Sequence, residues 1–186
     1  MPFIAIDFEA SCLPQYGRSF PIEVGIATDF GWSRSWLIKP HASWRDWQWS
    51  EEAETLHGIS RERLAREGMD VAEVARHLRA AVGGYELIAD SYFDDEWSRV
   101  LFRAAGEPDH VAVRCLADLR AFHDIDPERL HRAMAEADMQ RARRHRAEDD
   151  ARWLARLLGE LGLERAMSTY APPARSIWQG ELISAP

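Results

Sequence analysis

Cysteine is scarce in this chain of 186 residues, and long apolar runs are absent from it. Cys12 and Cys115 are its only cysteines. They are too few for a disulfide framework and lack the spacing of metal ligands, so we expect reduced, structural thiols. No stretch approaches the roughly 20 apolar residues that cross a bilayer, which predicts no membrane contact. The amino-terminal residues lack a basic leader and a cleavage site, which predicts a cytoplasmic protein.

Lysine is rarer still, because Lys39 is the only one. Nearly all basic groups are therefore arginines, which can hold a phosphate through two parallel hydrogen bonds. The net charge of -8 argues against a broad basic face for nucleic acid. It does not argue against a metal site, since carboxylates that hold divalent cations are themselves negative and the bound ions reverse the local field. The densest basic run, residues 141–146, is typical of a solvated segment before a helix.

The chain has enough apolar material for one globular domain. Hydrophobic residues make up 46% of it, with eight Trp, seven Phe and four Tyr, and a chain of this length buries about 70% of its unfolded surface. We place the domain at residues 1–169. Residues 170–186 have no clear period and contain prolines, so we expect a carboxyl-terminal tail that is either docked or disordered.

The spacing of apolar residues predicts the element order βββααβαβαα. Strands are expected over five runs: 3–8, 22–28, 32–38, 87–89 and 111–115. Helices are expected over residues 50–56, 70–82, 93 to about 105, 127–139 and a final stretch that carries Ala151, Leu154, Leu158 and Leu161. This order predicts an α/β protein whose first three strands form an antiparallel meander.

Asp7 and Glu9 stand at the end of the first predicted strand. Residues two apart on a strand point to the same face, so these carboxylates project together and can share a cation. Acid pairs of the same spacing occur elsewhere in the chain and carry no signal by themselves. The position of this pair singles it out, because charges at the end of an apolar strand are costly to bury without a counter-ion.

Two later segments carry the remaining candidates. Asp94 lies with two other acids in the first turn of a predicted helix, where the helix dipole favours acids. Stabilisation of the helix and binding of a metal ion would each explain an acid at this position. His145 and Asp150 are five residues apart, which on a helix is about 140° around the axis. They cannot share one helical face. We therefore expect Asp150 inside the last helix and His145 at or before its start.

Six segments, in order, resemble the motifs of the DEDDh (DnaQ-like) 3′-to-5′ exonucleases. They are Ile6-Asp7-Phe8-Glu9, 21–25, 37–40, Leu56-His57-Gly58-Ile59-Ser60, 90–94 and His145-x4-Asp150. The resemblance covers about residues 3–162, and its specificity lies in the joint order and spacing. The family usually has Asn four residues before the mid-chain acid, where this chain has Asp90. Asp95 and Asp149 are the substitutes if the register differs by one.

The resemblance implies an RNase H-like fold, with a five-stranded mixed sheet flanked by helices, and a site for two divalent cations, Mg²⁺ or Mn²⁺. Four acids would be the metal ligands: Asp7, Glu9, Asp94 and Asp150. His145 would be the general base that deprotonates the attacking water, and nucleoside 5′-monophosphates would leave from a 3′ end. Three more residues match family positions near the terminal nucleotide: Ala10, Ser11 and His57.

The expected partner is a single-stranded nucleic-acid 3′ end, since unstacked bases can stack on aromatic side chains. Phe8, Phe93 and the Trp-rich segment 44–49 are candidates for that contact, and core packing is the simpler explanation for most of them. Two other functions stay open. One is a non-catalytic nucleic-acid-binding or scaffold module, and the other is an RNase H-like endonuclease, which shares the carboxylates but does not require the His145-x4-Asp150 arrangement. The sequence does not distinguish DNA from RNA, and a homodimer is one possible assembly.

Overall fold

A computed structural model describes residues 3–119 and 124–163. Its centre is one five-stranded sheet with the strand order β3-β2-β1-β4-β5. The strands are β1 (Phe3–Ala10), β2 (Pro21–Ala27), β3 (Ser33–Leu37), β4 (Glu86–Ala89) and β5 (Val113–Cys115). The first three pair antiparallel, whereas β4 lies parallel to β1 and β5 lies parallel to β4. The predicted fold class, a mixed five-stranded sheet that begins with three antiparallel strands, is confirmed. The predicted tail, 170–186, lies outside the described residues.

Six α-helices flank the sheet in the described part of the chain. They are α1 (Glu51–His57), α2 (Arg61–Glu67), α3 (Val71–Val82), α4 (Phe93–Ala104), α5 (Pro127–Met139) and α6 (Ala147–Glu160). Three short 3₁₀ turns occupy Pro14–Tyr16, Ala42–Trp44 and Leu116–Asp118. The apolar spacing does not predict α2, because Leu64 is its one buried residue and a single apolar position gives no period. Ser60 is the signal that marks its start, since the hydroxyl accepts a hydrogen bond from the Arg63 N–H.

The cysteines and the lengths of the described helices can be compared with the expectations from composition. Cys12 and Cys115 are both free and buried, as expected for structural thiols. No helix within residues 3–119 and 124–163 is long and apolar enough to cross a membrane.

β1 is packed on both faces and separates two layers of apolar residues. Ile4, Ile6 and Phe8 face the layer that includes α3 and α4. Phe3 and Ala5 face the layer formed with α5 and α6. Because side chains alternate along a strand, Asp7 and Glu9 continue this second face, at the end of the strand where the helix α6 begins.

Small residues let the start of α6 lie directly on that face. Gly25 on β2 pairs with Asp7 on β1, and a methyl group built at Gly25 would lie 2.2 Å from the carbonyl carbon of Ala147. Other buried alanines line the same contact: Ala5, Ala27, Ala147 and Ala151. Gly25 therefore sets the distance between the sheet and the helix that carries Asp150.

We predict that Gly25→Ala lowers the free energy of unfolding by about 3 kcal/mol, because the backbone at Ala147 must move away from the sheet. Urea denaturation followed by circular dichroism measures the change. Gly84→Ala is the matched control, since a methyl group there meets no atom within 4 Å among the described residues, and we expect a change within about 0.5 kcal/mol. Equal losses in the two variants would contradict the close-packing argument.

Candidate active site

A pocket of about 370 Å³ lies at the carboxyl end of β1. In open sheets with parallel strands, the crevice beyond this end is the usual place for a ligand. Five residues predicted to act in catalysis all line the pocket: Asp7, Glu9, Asp94, His145 and Asp150. Ala10 and His57 line it as well. Ser11 does not, because it is buried and its hydroxyl accepts a hydrogen bond from the Phe20 N–H.

Asp94 reaches the pocket from the first turn of α4 because β1 extends beyond β4. The parallel pairing of these strands ends at Ala5 and Ile88, so the edge of β1 needs other hydrogen-bond partners beyond that point. Asp94 supplies one, since its Oδ1 accepts a hydrogen bond of 2.9 Å from the Phe8 N–H. Its side chain is 1% exposed, so the carboxylate is fixed at the wall of the pocket.

The two acids named as register substitutes have other partners. Asp95 accepts a hydrogen bond from the Val113 N–H and pairs with Arg99 on its own helix. Asp149 pairs with Arg152. Neither acid lines the pocket, so the structure places Asp94 and Asp150 there, in the register that the motifs predict.

The start of α6 is bound to β2 through Glu23. This residue pairs with Glu9 across the two strands, so both side chains lie on one face of the sheet. Arg146 donates two hydrogen bonds to the Glu23 carboxylate, of 2.9 and 2.6 Å, and the Ala147 N–H donates a third of 3.1 Å. This buried contact brings the first turn of α6 next to Glu9.

His145 precedes the helix and Asp150 lies inside it, as the spacing predicts. The backbone of His145 has a φ of 58°, a left-handed conformation that no other described residue except glycine adopts. Its N–H donates a hydrogen bond of 2.9 Å to Asp150 Oδ2, which stabilises the turn. One ligand atom from each of Glu9, His145 and Asp150 lies within 4.8 Å of the others, so the three can reach one cation.

Glu9 ionises less readily than an ordinary glutamate. Its pKa is raised to about 8, mainly by loss of hydration and to a smaller extent by repulsion from Asp150 and Glu23. Arg146 and Arg141 oppose the shift and do not cancel it. At neutral pH the protein without metal therefore favours a protonated Glu9, and a bound cation would displace that proton.

Asp7 lies among four other carboxylates that act on it. Burial raises its pKa well above the usual range, and repulsion from Asp94, Glu9, Asp150 and Asp90 adds to the effect. Burial also raises the pKa of Asp94, with repulsion from Asp90 as the next cause. Asp90, at the mouth of the pocket, has its pKa raised by loss of hydration and by Asp150. This donor set of carboxylate oxygens fits a hard divalent cation such as Mg²⁺ or Mn²⁺.

His57 lines the pocket with a ring that is held on one side by the backbone. Its Nδ1 accepts a hydrogen bond of 3.0 Å from the Ile59 N–H, which leaves the hydrogen of the neutral ring on Nε2. Burial lowers the pKa of His57 to about 4, so the ring is neutral at pH 7. Nε2 is buried and has no partner among the described residues. A buried donor without a partner costs stability.

Arg141, which is not among the residues predicted for the site, also lines the pocket. Its Nε donates a hydrogen bond of 2.7 Å to Asp150 Oδ1, and Nη2 contacts the same oxygen. The expectation of a solvated basic run is therefore wrong for Arg141 and Arg146, because both are mostly buried against acids. It is right for Arg144, which is exposed. A separation of nine residues between Arg141 and Asp150 follows neither a helical nor a strand period, so no sequence pattern indicates this pair.

The aromatic candidates divide between the pocket and the core. Phe8 and Phe93 line the pocket, and both also pack in the core layer, where Phe8 is buried. Trp44 is buried, and Trp47 and Trp49 pack against the core beside it. For the Trp-rich segment, the simpler explanation of core packing is therefore the one that the structure supports.

Solved structures of 3′-exonucleases share this fold. Exonuclease I of E. coli in complex with a dA16 oligonucleotide matches with a TM-score of 0.62 and 18% identity, over 87% of this chain and 42% of that one. A product-bound exonuclease I matches with a TM-score of 0.64 and 16% identity, over 88% and 44%. A full-length 3′-exonuclease matches with a TM-score of 0.57 and 18% identity, over 88% and 60%. This chain thus spans about two fifths of the exonuclease I chains.

No family model matches the chain, and no curated protein matches it significantly. At identities of 16 to 18%, the likeness to the solved structures establishes the fold alone. The RNase H-like fold that the motif resemblance implies is thereby confirmed, and the activity has to be argued from the pocket.

We predict that the metal-free protein loses thermal stability as the pH rises from about 5 to about 8. The pKa of Glu9 is about 8 in the folded protein and 4.5 ordinarily. The folded state therefore holds this proton more tightly, and the stability it contributes is full below the ordinary pKa and lost as the pH approaches 8. The melting temperature, measured with EDTA across this range, checks the sign.

Glu9→Gln is the control for this pH dependence, because the amide has a similar shape and does not ionise. Its melting temperature should fall less over the same pH range than that of the unchanged protein. Parallel curves for the two proteins would show that Glu9 does not titrate there.

Proposed function

We propose that this chain is a metal-dependent 3′-to-5′ exonuclease that hydrolyses phosphodiester bonds at single-stranded nucleic-acid ends and releases nucleoside 5′-monophosphates. The observation that carries this proposal is the convergence in one pocket of carboxylates from β1, α4 and α6 beside an imidazole. The shared fold supports it, since exonuclease I of E. coli has been solved with dA16 and dT13 oligonucleotides.

The cations belong among four acids: Asp7, Glu9, Asp94 and Asp150. Asp7 is the central one, because the neighbouring carboxylates of Asp94, Glu9 and Asp150 all act on it. A zinc-bound form of E. coli exonuclease I with single-stranded DNA has been solved, whereas the oxygen-rich donors here favour Mg²⁺ or Mn²⁺. When bound, two such ions stabilise the charge on the attacking and leaving oxygens of an in-line displacement.

His145 is the proposed general base. It is exposed to water, lies beside Glu9 and Asp150, and is held through its own backbone N–H. A ring nitrogen takes a proton from water, and the water oxygen then bonds to the phosphorus of the terminal nucleotide. The bond from that phosphorus to the 3′ oxygen of the preceding nucleotide breaks. That oxygen takes a proton from solvent, which yields a nucleoside 5′-monophosphate and a new 3′ hydroxyl.

The same pocket offers contacts for the terminal nucleotide. His57 donates from Nε2 to an acceptor on the nucleotide. Leu13 and Leu56 line the pocket while 42% and 55% exposed, so they give an unstacked base an apolar surface that a paired base could not reach. The short side chain of Ala10 leaves space for the nucleotide at one wall of the pocket. These contacts favour a single-stranded end over a duplex.

Cleavage is tested with a linear oligonucleotide labelled at its 5′ end, in DNA and RNA versions, with Mg²⁺ or Mn²⁺. We expect a ladder that shortens from the 3′ end, and Asp7→Asn or His145→Ala should slow it at least about 100-fold. Asp149→Asn is the matched control, because Asp149 is adjacent to Asp150 and lies outside the pocket. It should cleave within about twofold of the parent rate.

A circular oligonucleotide of the same sequence distinguishes the alternatives, and an exonuclease must leave it intact. Cleavage of the circle would identify an endonuclease. Binding of the linear strand without cleavage under any metal would identify a non-catalytic module. Equal ladders from the parent, Asp7→Asn and His145→Ala would overturn the mechanism.

We predict that His57→Asn raises KM about tenfold, the effect of one lost hydrogen bond to the substrate, with a smaller change in kcat. Asn can still accept the hydrogen bond from the Ile59 N–H, as in a local turn, but it is too short to replace the Nε2 donor. Steady-state kinetics at pH 6 and pH 8 measure the effect, which should be equal at both because the ring is neutral throughout. An unchanged KM would remove His57 from substrate binding.

A further inference from the structure

Arg141 is a charged pocket residue to which the proposed function gives no role. Among the described residues that line the pocket, it alone carries a permanent positive charge. It lies against Asp150, with the two side chains 15% and 11% exposed. Its guanidinium carbon is 5.0 Å from the centre of the Trp153 ring, a contact that holds the group at the wall of the pocket.

This ion pair uses the oxygens that a metal ion would need. Arg141 occupies Asp150 Oδ1 with its Nε and Nη2, and the His145 N–H occupies Oδ2. Glu9, His145 and Asp150 can bring their ligand atoms within 4.8 Å of one another. A divalent cation at that point would meet the guanidinium at close range, where like charges repel strongly.

The charge of Arg141 also acts on the acids around it. Its guanidinium lowers the pKa of Glu9 and of Asp90, against the larger effect of burial. It therefore does, more weakly, what a metal ion would do in this pocket, since it offsets carboxylate repulsion and orients Asp150.

We propose that Arg141 is a positioning residue that takes the place of a metal ion at Asp150 in the metal-free protein and leaves this carboxylate when a divalent cation binds. The inference rests on the metal site of the proposed function. It implies that Arg141 weakens metal binding while it stabilises the protein without metal. After the exchange, the guanidinium can stay at the pocket wall on Trp153.

The test is the affinity for Mn²⁺ in the absence of nucleic acid, measured by electron paramagnetic resonance of the free ion. Arg141→Gln removes the competing cation, and the His145 N–H still holds Asp150. We expect Arg141→Gln to bind Mn²⁺ about tenfold more tightly than the parent, the size of one charge-assisted contact. A residue that merely supported the site would weaken binding when removed.

Arg144→Gln is the matched control. It removes the same charge from the same segment, and Arg144 is exposed, contacts Asp138 at 3.7 Å and lies outside the pocket. Its Mn²⁺ affinity should stay within about twofold of the parent. A tenfold gain in this variant too would assign the effect to net charge and overturn the role of Arg141.

Thermal melting gives a second measurement. Without metal, Arg141→Gln should melt below the parent, and saturating Mn²⁺ should remove most of that difference. If this variant does not fold, Arg141→Lys continues the test, because it keeps the charge without the two-pronged contact and should bind Mn²⁺ more tightly than the parent by a smaller factor. Equal or weaker Mn²⁺ binding by a folded Arg141 variant overturns the inference.

Failure of this inference is distinguishable from failure of the proposed function. If the parent binds Mn²⁺ and cleaves oligonucleotides while the Arg141 variants bind Mn²⁺ no more tightly, only the exchange at Asp150 is wrong. If the parent binds no Mn²⁺ and Asp7→Asn behaves identically, the metal site and the exchange are both wrong.

Discussion

The buried carboxylate of Glu23 joins the two halves of the pocket. It accepts hydrogen bonds from the Arg146 side chain and from the Ala147 N–H. Glu23 and Arg146 are 123 residues apart in the chain. β1 supplies Asp7 and Glu9, α4 supplies Asp94 and α6 supplies Asp150 beside His145, so no single element forms the site alone. Removing one partner of a buried ion pair costs about 3 to 5 kcal/mol, so the stability of the fold and the assembly of the pocket depend on the same contact.

The protein tolerates its crowded acids by giving several of them a fixed partner. Asp94 accepts a hydrogen bond from the Phe8 N–H, and Asp150 accepts from Arg141 and from the His145 N–H. These partners do not cancel the effect, since burial and neighbouring acids still raise the pKa values of Asp7, Glu9 and Asp94. Asp7 and Glu9 lie at the centre of the pocket, where a cation would act on the largest number of carboxylates. The fold thus retains electrostatic strain at the position where a metal ion would relieve it.

How much of this structure the sequence predicts depends on how many residues of the chain separate the groups that interact. The strands and the longer helices follow from local periodicity, and the five-residue spacing of His145 and Asp150 correctly separates a loop residue from a helix residue. Arg141 and the partners of Glu23 do not follow, because their contacts join elements that are distant in the chain and leave no period in it. Ser11 shows the limit of motif position, since the chain turns after β1 and its hydroxyl bonds to Phe20 instead of facing the pocket.

The electrostatics of the pocket favour catalysis over simple binding of nucleic acid. Without a cation, carboxylates around Asp7 repel a phosphate, and they also repel one another. A binding module would gain affinity and stability from Asn or Gln at these positions, since the amides have nearly the same shape and carry no charge. A divalent cation would give these costly acids a use, because it reverses the sign of the local field. The raised pKa values of Asp7 and Glu9 are therefore consistent with the proposed metal site, which a scaffold with the same fold would not need.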